Sequence, residues 1–162
     1  MSVMALDLAT RTGLAVGEPG STPVGASADF SRYSGGARYA ALSDWLADQI
    51  AVHRPIIVVA EAPVMAMEHA HRTALMLIGM LAVAELTAAR AGISHEVVIL
   101  PVSSVRLHFC GSGSAKKSDV MLECHRRGWR PRDDNAADAM AAWWVATNKE
   151  ATVRSALKAA GR

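Results

Sequence analysis

The chain has 162 residues, 17 Lys and Arg against 15 Asp and Glu, and is 51% hydrophobic and 20% charged. That balance excludes a disordered or fibrous chain, and the length suits one domain with its own core. A net charge of +2 is too small to mark a nucleic-acid binder by itself, yet cations gather at Lys116, Lys117, Arg126, Arg127, Arg130 and Arg132, which predicts a local basic face.

The first element follows at once. Apolar runs at Val3 to Leu8 and Gly13 to Val16, split by a polar Thr-Arg-Thr-Gly break, predict a β-hairpin, with a third strand over Ala26 to Ser31. From Ala37 to His53 the apolar positions Leu42, Trp45, Leu46 and Ile50 recur at three and four, which predicts an amphipathic helix ended by Pro55. "IIVVAEAP" then reads as a strand covered on both faces, closing in Glu61 and Pro63. A long helix is expected from about Met65 to Ala91, with Gly92 as its cap. Its apolar residues cover more than one face, so it is either central or shared with a second subunit. "HEVVILP" is a further strand, "SSVRLHF" a short helix opened by Ser103 or Ser104, and "CGSGSA" a loop. Helices over Lys116 to Arg127 and Ala136 to Thr147 follow, and residues 149–162 form a tail or a short helix. The order predicts an α/β domain over residues 1–148, its mixed sheet antiparallel first and parallel later.

Cys110 and Cys124 form no CxxC pair, the apolar runs are broken by polar residues, and no charged leader precedes the first strand. The expectation is a reduced, cytoplasmic protein with neither structural zinc nor a membrane segment.

Three acids stand out because their surroundings are apolar. Asp7 is flanked by Leu6 and Leu8, Glu61 ends the most apolar strand, and Asp138 lies among Ala136, Ala137, Ala139, Met140, Ala141 and Ala142. A buried unpaired carboxylate costs several kcal/mol, so such an acid needs a cationic partner or an opening. Three carboxylates from distant parts of the chain are what one or two Mg²⁺ ions require, because hard cations take oxygen ligands. Asp134 and Asn135 lie four and three residues before Asp138, on the same side of a helix start. Asp133 reads as the helix cap. His69 and His71, two apart, share no helical face, and Trp143 and Trp144 are expected to pack the last helix on the sheet.

Taken together, "ALDLATRTGLAV", "VVAEAP" and "NAADAMA" resemble the three acidic motifs of the RuvC-type Holliday-junction resolvases, in the RNase H-like superfamily. "VRLHFCGSGSAKKSDV" resembles that family's basic-glycine segment without a gap, and the ordered likeness runs from Asp7 to Trp144, weakest between Glu18 and Arg54. The resemblance implies an RNase H-like mixed five-stranded sheet flanked by helices, three strands antiparallel and two parallel. It implies a crossover junction endodeoxyribonuclease, acting as a homodimer on four-way junctions or other branched DNA, with two Mg²⁺ or Mn²⁺ ions per active site. Asp7, Glu61 and Asp138 fall on the family's metal-binding acids. Arg106, Lys116 and Lys117 lie in its basic segment; Arg106 and Lys117 fall on its basic positions, and Lys117 would act on the scissile phosphate.

Two departures qualify what is implied. Asn135 stands where the family usually has an acid or a His, so either Asp134 or the Asn135 amide oxygen completes the second metal site. Val64 stands where an aromatic wedge is usual, and Val64, Met65 and Met67 have no ring to stack on a base. Nuclease action on flaps, forks or structured RNA is one alternative, and a catalytically weak junction-binding protein is another. A sugar-kinase fragment, suggested by "DLATRTG", is excluded by the short chain.

Overall fold

A computed structural model describes residues 1–63, 71–93 and 95–161. The elements are β1 (Val3–Asp7), β2 (Arg11–Gly17), β3 (Val24–Asp29), α1 (Gly35–His53), β4 (Ile57–Glu61), α2 (His71–Arg90), β5 (Val98–Leu100), α3 (Val102–Cys110), α4 (Lys117–Arg126), α5 (Asp134–Lys149) and α6 (Ala151–Ala160). The five strands lie in the order β3-β2-β1-β4-β5, with β1–β2 and β2–β3 antiparallel and β1–β4 and β4–β5 parallel. This is the expected mixed sheet of three antiparallel and two parallel strands flanked by helices.

Side chains alternate across a strand, so each strand feeds two cores. Met4 and Leu6 of β1 and Val58 and Ala60 of β4 face the layer of α1 and α2. Val3, Ala5, Ile57 and Val59 face α5, together with residues of α3, α4 and α6. Both central strands are apolar up to their last residue because both faces are covered. The same alternation turns Asp7 and Glu61 toward the α5 side, at the carboxyl ends of neighbouring parallel strands whose register is Leu6 to Ala60.

Several boundaries differ from the sequence expectation. The hairpin turn is Leu8 to Thr10, not Thr10 to Gly13: β2 begins at Arg11, and the buried Thr12 hydroxyl donates to the Ala9 carbonyl at 2.8 Å to close the turn. β3 starts earlier than expected, at Val24, set by its pairing with Val16. α1 ends before Pro55 in a left-handed Arg54 (φ 47°) whose N–H donates to the Ile50 carbonyl. Pro101, not Ser103 or Ser104, precedes the first turn of α3, since a proline has no N–H to leave unpaired there. α5 starts two residues earlier than expected because Asp133 caps it, accepting from the Ala136 N–H at 2.9 Å. The expected start of α2 near Met65 lies outside the described residues.

Two of the clustered cations are engaged by neighbouring side chains. Arg126 and Arg127 pair with Glu123 near the end of α4, and the Arg127 guanidinium lies 4.6 Å from the Phe109 ring centroid and 4.4 Å from that of Trp144. Arg127 is therefore a packing residue joining α3, α4 and α5. Trp143 is buried against the sheet, and its indole N–H donates to the Gly17 carbonyl.

Candidate active site

The site is assembled by the close approach of α5 to the hairpin. Gly13 pairs with Asp7 across β1 and β2, and a Cβ on Gly13 would lie 2.0 Å from the Asn135 carbonyl oxygen. Only a glycine lets the first turn of α5 rest there. Further along, a Cβ on Gly25 would lie 2.6 Å from the Met140 methyl, a side-chain tip that can shift, so the main-chain contact at Gly13 is the stricter of the two. The alanines of α5 complete the fit, and Asp138, one turn beyond Asn135, comes down beside Asp7.

Asp138 is 5% exposed, and its partner is Lys117, whose Nζ lies 3.4 Å from Oδ2. The same ammonium lies 3.0 Å from Asp134 Oδ2. The buried acid in an alanine-rich helix thus has a cationic partner. A cleft of about 460 Å³ is lined by Asp7, Thr10, Glu61, Pro63, Thr73 and Val102, among others. A larger cavity of about 780 Å³, between the ends of α1 and α2 and α6, lies at the other end of the strands and holds none of these acids.

The charges in the site are held against their preference. Burial, then the Asp138 charge, pushes Asp7 up to about 7, against the opposing pull of Lys117 and Arg106. Burial, then Asp7 and Asp138, pushes Glu61 up to about 8. Asp138 is raised by burial despite Lys117. Lys117 is partly desolvated, which disfavours its charge, but the Asp134 hydrogen bond and the charges of Asp138, Asp134 and Asp7 outweigh that and hold it above the usual lysine range. Asp134, on the outside, is lowered by its bond to Lys117. Mutual repulsion among three carboxylates in a dry place is the condition a divalent cation relieves.

Among the described residues, no three His, Cys, Asp or Glu stand together as a ready-made metal cluster. The donor chemistry of Asp7, Glu61 and Asp138 fits a hard divalent cation, while the carboxylates are held apart with Lys117 alongside them.

Of the residues singled out in the sequence, Asp7, Glu61, Asp138, Asp134, Lys117 and Arg106 come together. Asn135 is buried at the start of α5, next to Gly13. Arg106, half-buried on α3, bears on all three acids. Lys116 is exposed at the head of α4, where its backbone N–H donates to Asp119. Val64, Met65, Met67 and His69 lie outside the described residues. Gly13 was missed by residue-type reasoning, although a glycine inside a strand pattern is a sign of close backbone approach.

The fold is that of the RuvC structures. The structure is similar to that of the Thermus thermophilus RuvC in complex with a Holliday junction substrate (TM-score 0.78, 22% identity, 96% of this chain and 97% of that one). It is also similar to a second Thermus thermophilus RuvC structure (TM-score 0.70, 20% identity, 99% and 97%) and to a yeast mitochondrial Holliday junction resolvase (TM-score 0.60, 10% identity, 94% and 83%). No protein-family profile and no curated protein sequence matches the chain.

Proposed function

We propose that this chain is a metal-dependent, structure-selective endodeoxyribonuclease that resolves four-way junctions or related branched DNA by paired phosphodiester hydrolysis. The observation that carries the reading is the convergence of Asp7, Glu61 and Asp138, from three separate stretches, at the carboxyl ends of the central strands of a RuvC-type sheet with Lys117 and Arg106 beside them. The likeness to the RuvC that was solved with a junction supports four-way DNA as the substrate.

Asp7, Glu61 and Asp138 would hold two Mg²⁺ or Mn²⁺ ions, with the Asn135 amide oxygen as a weaker neutral donor. When bound, such ions supply an activated water and charge stabilisation at the leaving oxygen. Burial by the alanine face of α5 keeps the acids dry, so each carboxylate binds a cation more strongly than it would in water. Lys117 and Arg106 bring positive charge to the phosphate, and Lys116, exposed one residue before Lys117, adds a backbone contact. Val64 and Met65, which follow Glu61 in the sequence, would meet the DNA.

The reading includes a homodimer in a reducing cytoplasm. Leu75, Ile78, Ala82, Leu86 and Ala89 are all exposed on α2, at spacings of three and four, which is an apolar stripe along one side of the helix. α2 is also long and apolar enough to cross a membrane by length and composition alone. Its buried face packs on α1, where the Ser43 and Thr87 hydroxyls meet at 3.0 Å, and this favours a protein partner for the other face. A two-fold dimer presents two sites to a substrate of two-fold symmetry.

A panel of mobile four-way junction, fork, flap and linear duplex, with Mg²⁺ and with Mn²⁺, tests the reading on wild type and Asp138→Asn. Paired nicking of the junction by wild type alone is expected. Equal cutting of all substrates would replace junction resolution with a broader nuclease, the alternative that Val64 favours. Junction binding without cleavage in either metal would leave a binding protein, the alternative that Asn135 favours.

A further inference from the structure

We infer that Asp134 is a positioning residue that tethers the Lys117 ammonium beside Asp138, and that it is not a metal ligand; this rests on the functional reading above. Three consecutive residues at the head of α5 are committed in three ways. Asp133 is spent as the cap, accepting from the Ala136 N–H and from the Ser27 hydroxyl. Asn135 is buried, its main chain against Gly13. Asp134 stands between them with its side chain half exposed and one oxygen 3.0 Å from Lys117 Nζ.

Asp134 and Asp138 are four apart on α5, so they share a side of the helix, and Lys117 reaches both from the first turn of α4. The two acids differ in what else they meet. Asp138 is buried and is a leading charge on both Asp7 and Glu61, whereas Asp134 ranks behind Asp138 and Lys117 at Asp7 and is not among the largest influences on Glu61. Asp134 is therefore the outer of the two acids. A lysine stem has wide rotamer freedom, and a single contact to Asp138 would be lost once Asp138 binds a cation. The Asp134 pair survives that exchange and keeps the ammonium beside Asp138. An exposed pair of this kind adds little to stability, so its value lies in orientation.

The test uses Asp134→Asn, Asp134→Glu and Lys117→Gln in the full chain. In Asp134→Asn, Mn²⁺ affinity measured by calorimetry is expected to stay within about twofold of wild type, because Asp134 bonds Lys117 and not a ligand, whereas removing a carboxylate ligand would weaken it by well over that. Junction kcat should fall roughly tenfold with a smaller change in KM, and Asp134→Glu should recover most of it. In the Lys117→Gln background, Asp134→Asn should have no further effect, because the tether has nothing to hold. Acetylation of Lys117 by acetic anhydride should be several-fold faster in Asp134→Asn. A tenfold loss of Mn²⁺ affinity, multiplicative effects of the two substitutions, or unchanged labelling of Lys117 would each overturn the tether. If wild type cuts no branched DNA, the functional reading fails, and the labelling rate alone decides the tether: faster supports it and unchanged sinks it.

Discussion

α5 and α2 are both rich in alanine and leucine-like residues, yet they do opposite things. Twelve of the sixteen residues of α5 are buried, Asn135 and Asp138 among them, whereas only five of the twenty in α2 are. α5 lies against the sheet because Gly13 has no side chain to hold its first turn off, and it carries polar atoms inward with it. α2 rests on α1 by one side and leaves Leu75, Ile78 and Leu86 exposed on the other. Apolar composition alone therefore does not say what a helix covers. What decides is whether the surface opposite is made of small residues.

The sharpest way to break this contrast is at Asp138. Asp138→Asn should lower cleavage by about a thousandfold or more while leaving junction affinity in Ca²⁺ near that of wild type, read by gel shift beside a cleavage time course. Retained cleavage would mean that the inward face of α5 is only a packing surface. Next in size is Gly13→Ala, whose methyl would sit 2.0 Å from the Asn135 carbonyl oxygen. Backbone cannot move aside as a side-chain tip can, so a cost of about 1–3 kcal/mol or more is expected in urea unfolding, together with reduced activity. An unchanged midpoint would show that α5 is held by something other than the glycine contact.

The sheet and the acids were legible in the sequence because each had a strong local pattern. β1 and β4 are short runs of apolar residues bounded by a turn or a proline, and Asp7, Glu61 and Asp138 are each the odd charge in an apolar setting. The pairing of Lys117 with Asp134 and Asp138 was not legible. Seventeen residues separate Lys117 from Asp134, and the spacing of cations along the chain suggested one basic face where the fold makes two unrelated environments. Arg127 shows the reason: its charge is absorbed by Glu123 and by the Phe109 and Trp144 rings, partners that only the packing of three helices brings together. Gly13 was read as part of a turn because a glycine after Thr-Arg-Thr has the chemistry of one. Its partner is a main-chain carbonyl, which has no sequence signature.

A smaller effect tests the charge state of the inward face. Asp7 and Glu61 titrate near 7 and 8 in the folded protein, well above the ordinary carboxylate range they regain on unfolding. Between about pH 4 and pH 8 the folded state therefore binds protons that the unfolded state has already lost. Stability without divalent metal should fall as pH rises through that window. Asp7→Asn removes one of these groups, so its melting temperature should exceed that of wild type by several degrees at pH 8 and differ little at pH 4. Equal gains at both values would show that Asp7 is not held protonated by its surroundings.

The smallest expected effect on folding belongs to α2, and it completes the contrast. Ile78 is exposed, so replacing it with Glu removes no buried contact within the chain. In dilute solution, below the concentration at which chains associate, the unfolding midpoint of Ile78→Glu should lie within about 0.5 kcal/mol of wild type. At higher concentration the two should diverge, because only wild type gains stability by mass action, and sedimentation should report a dimer for wild type and a monomer for the variant. In the proposed dimer, a carboxylate set into this stripe would be opposed by another across the two-fold axis, so one substitution acts twice. If Ile78→Glu instead unfolds in dilute solution, the stripe is part of the fold of one chain. The difference between the two helices would then be one of degree.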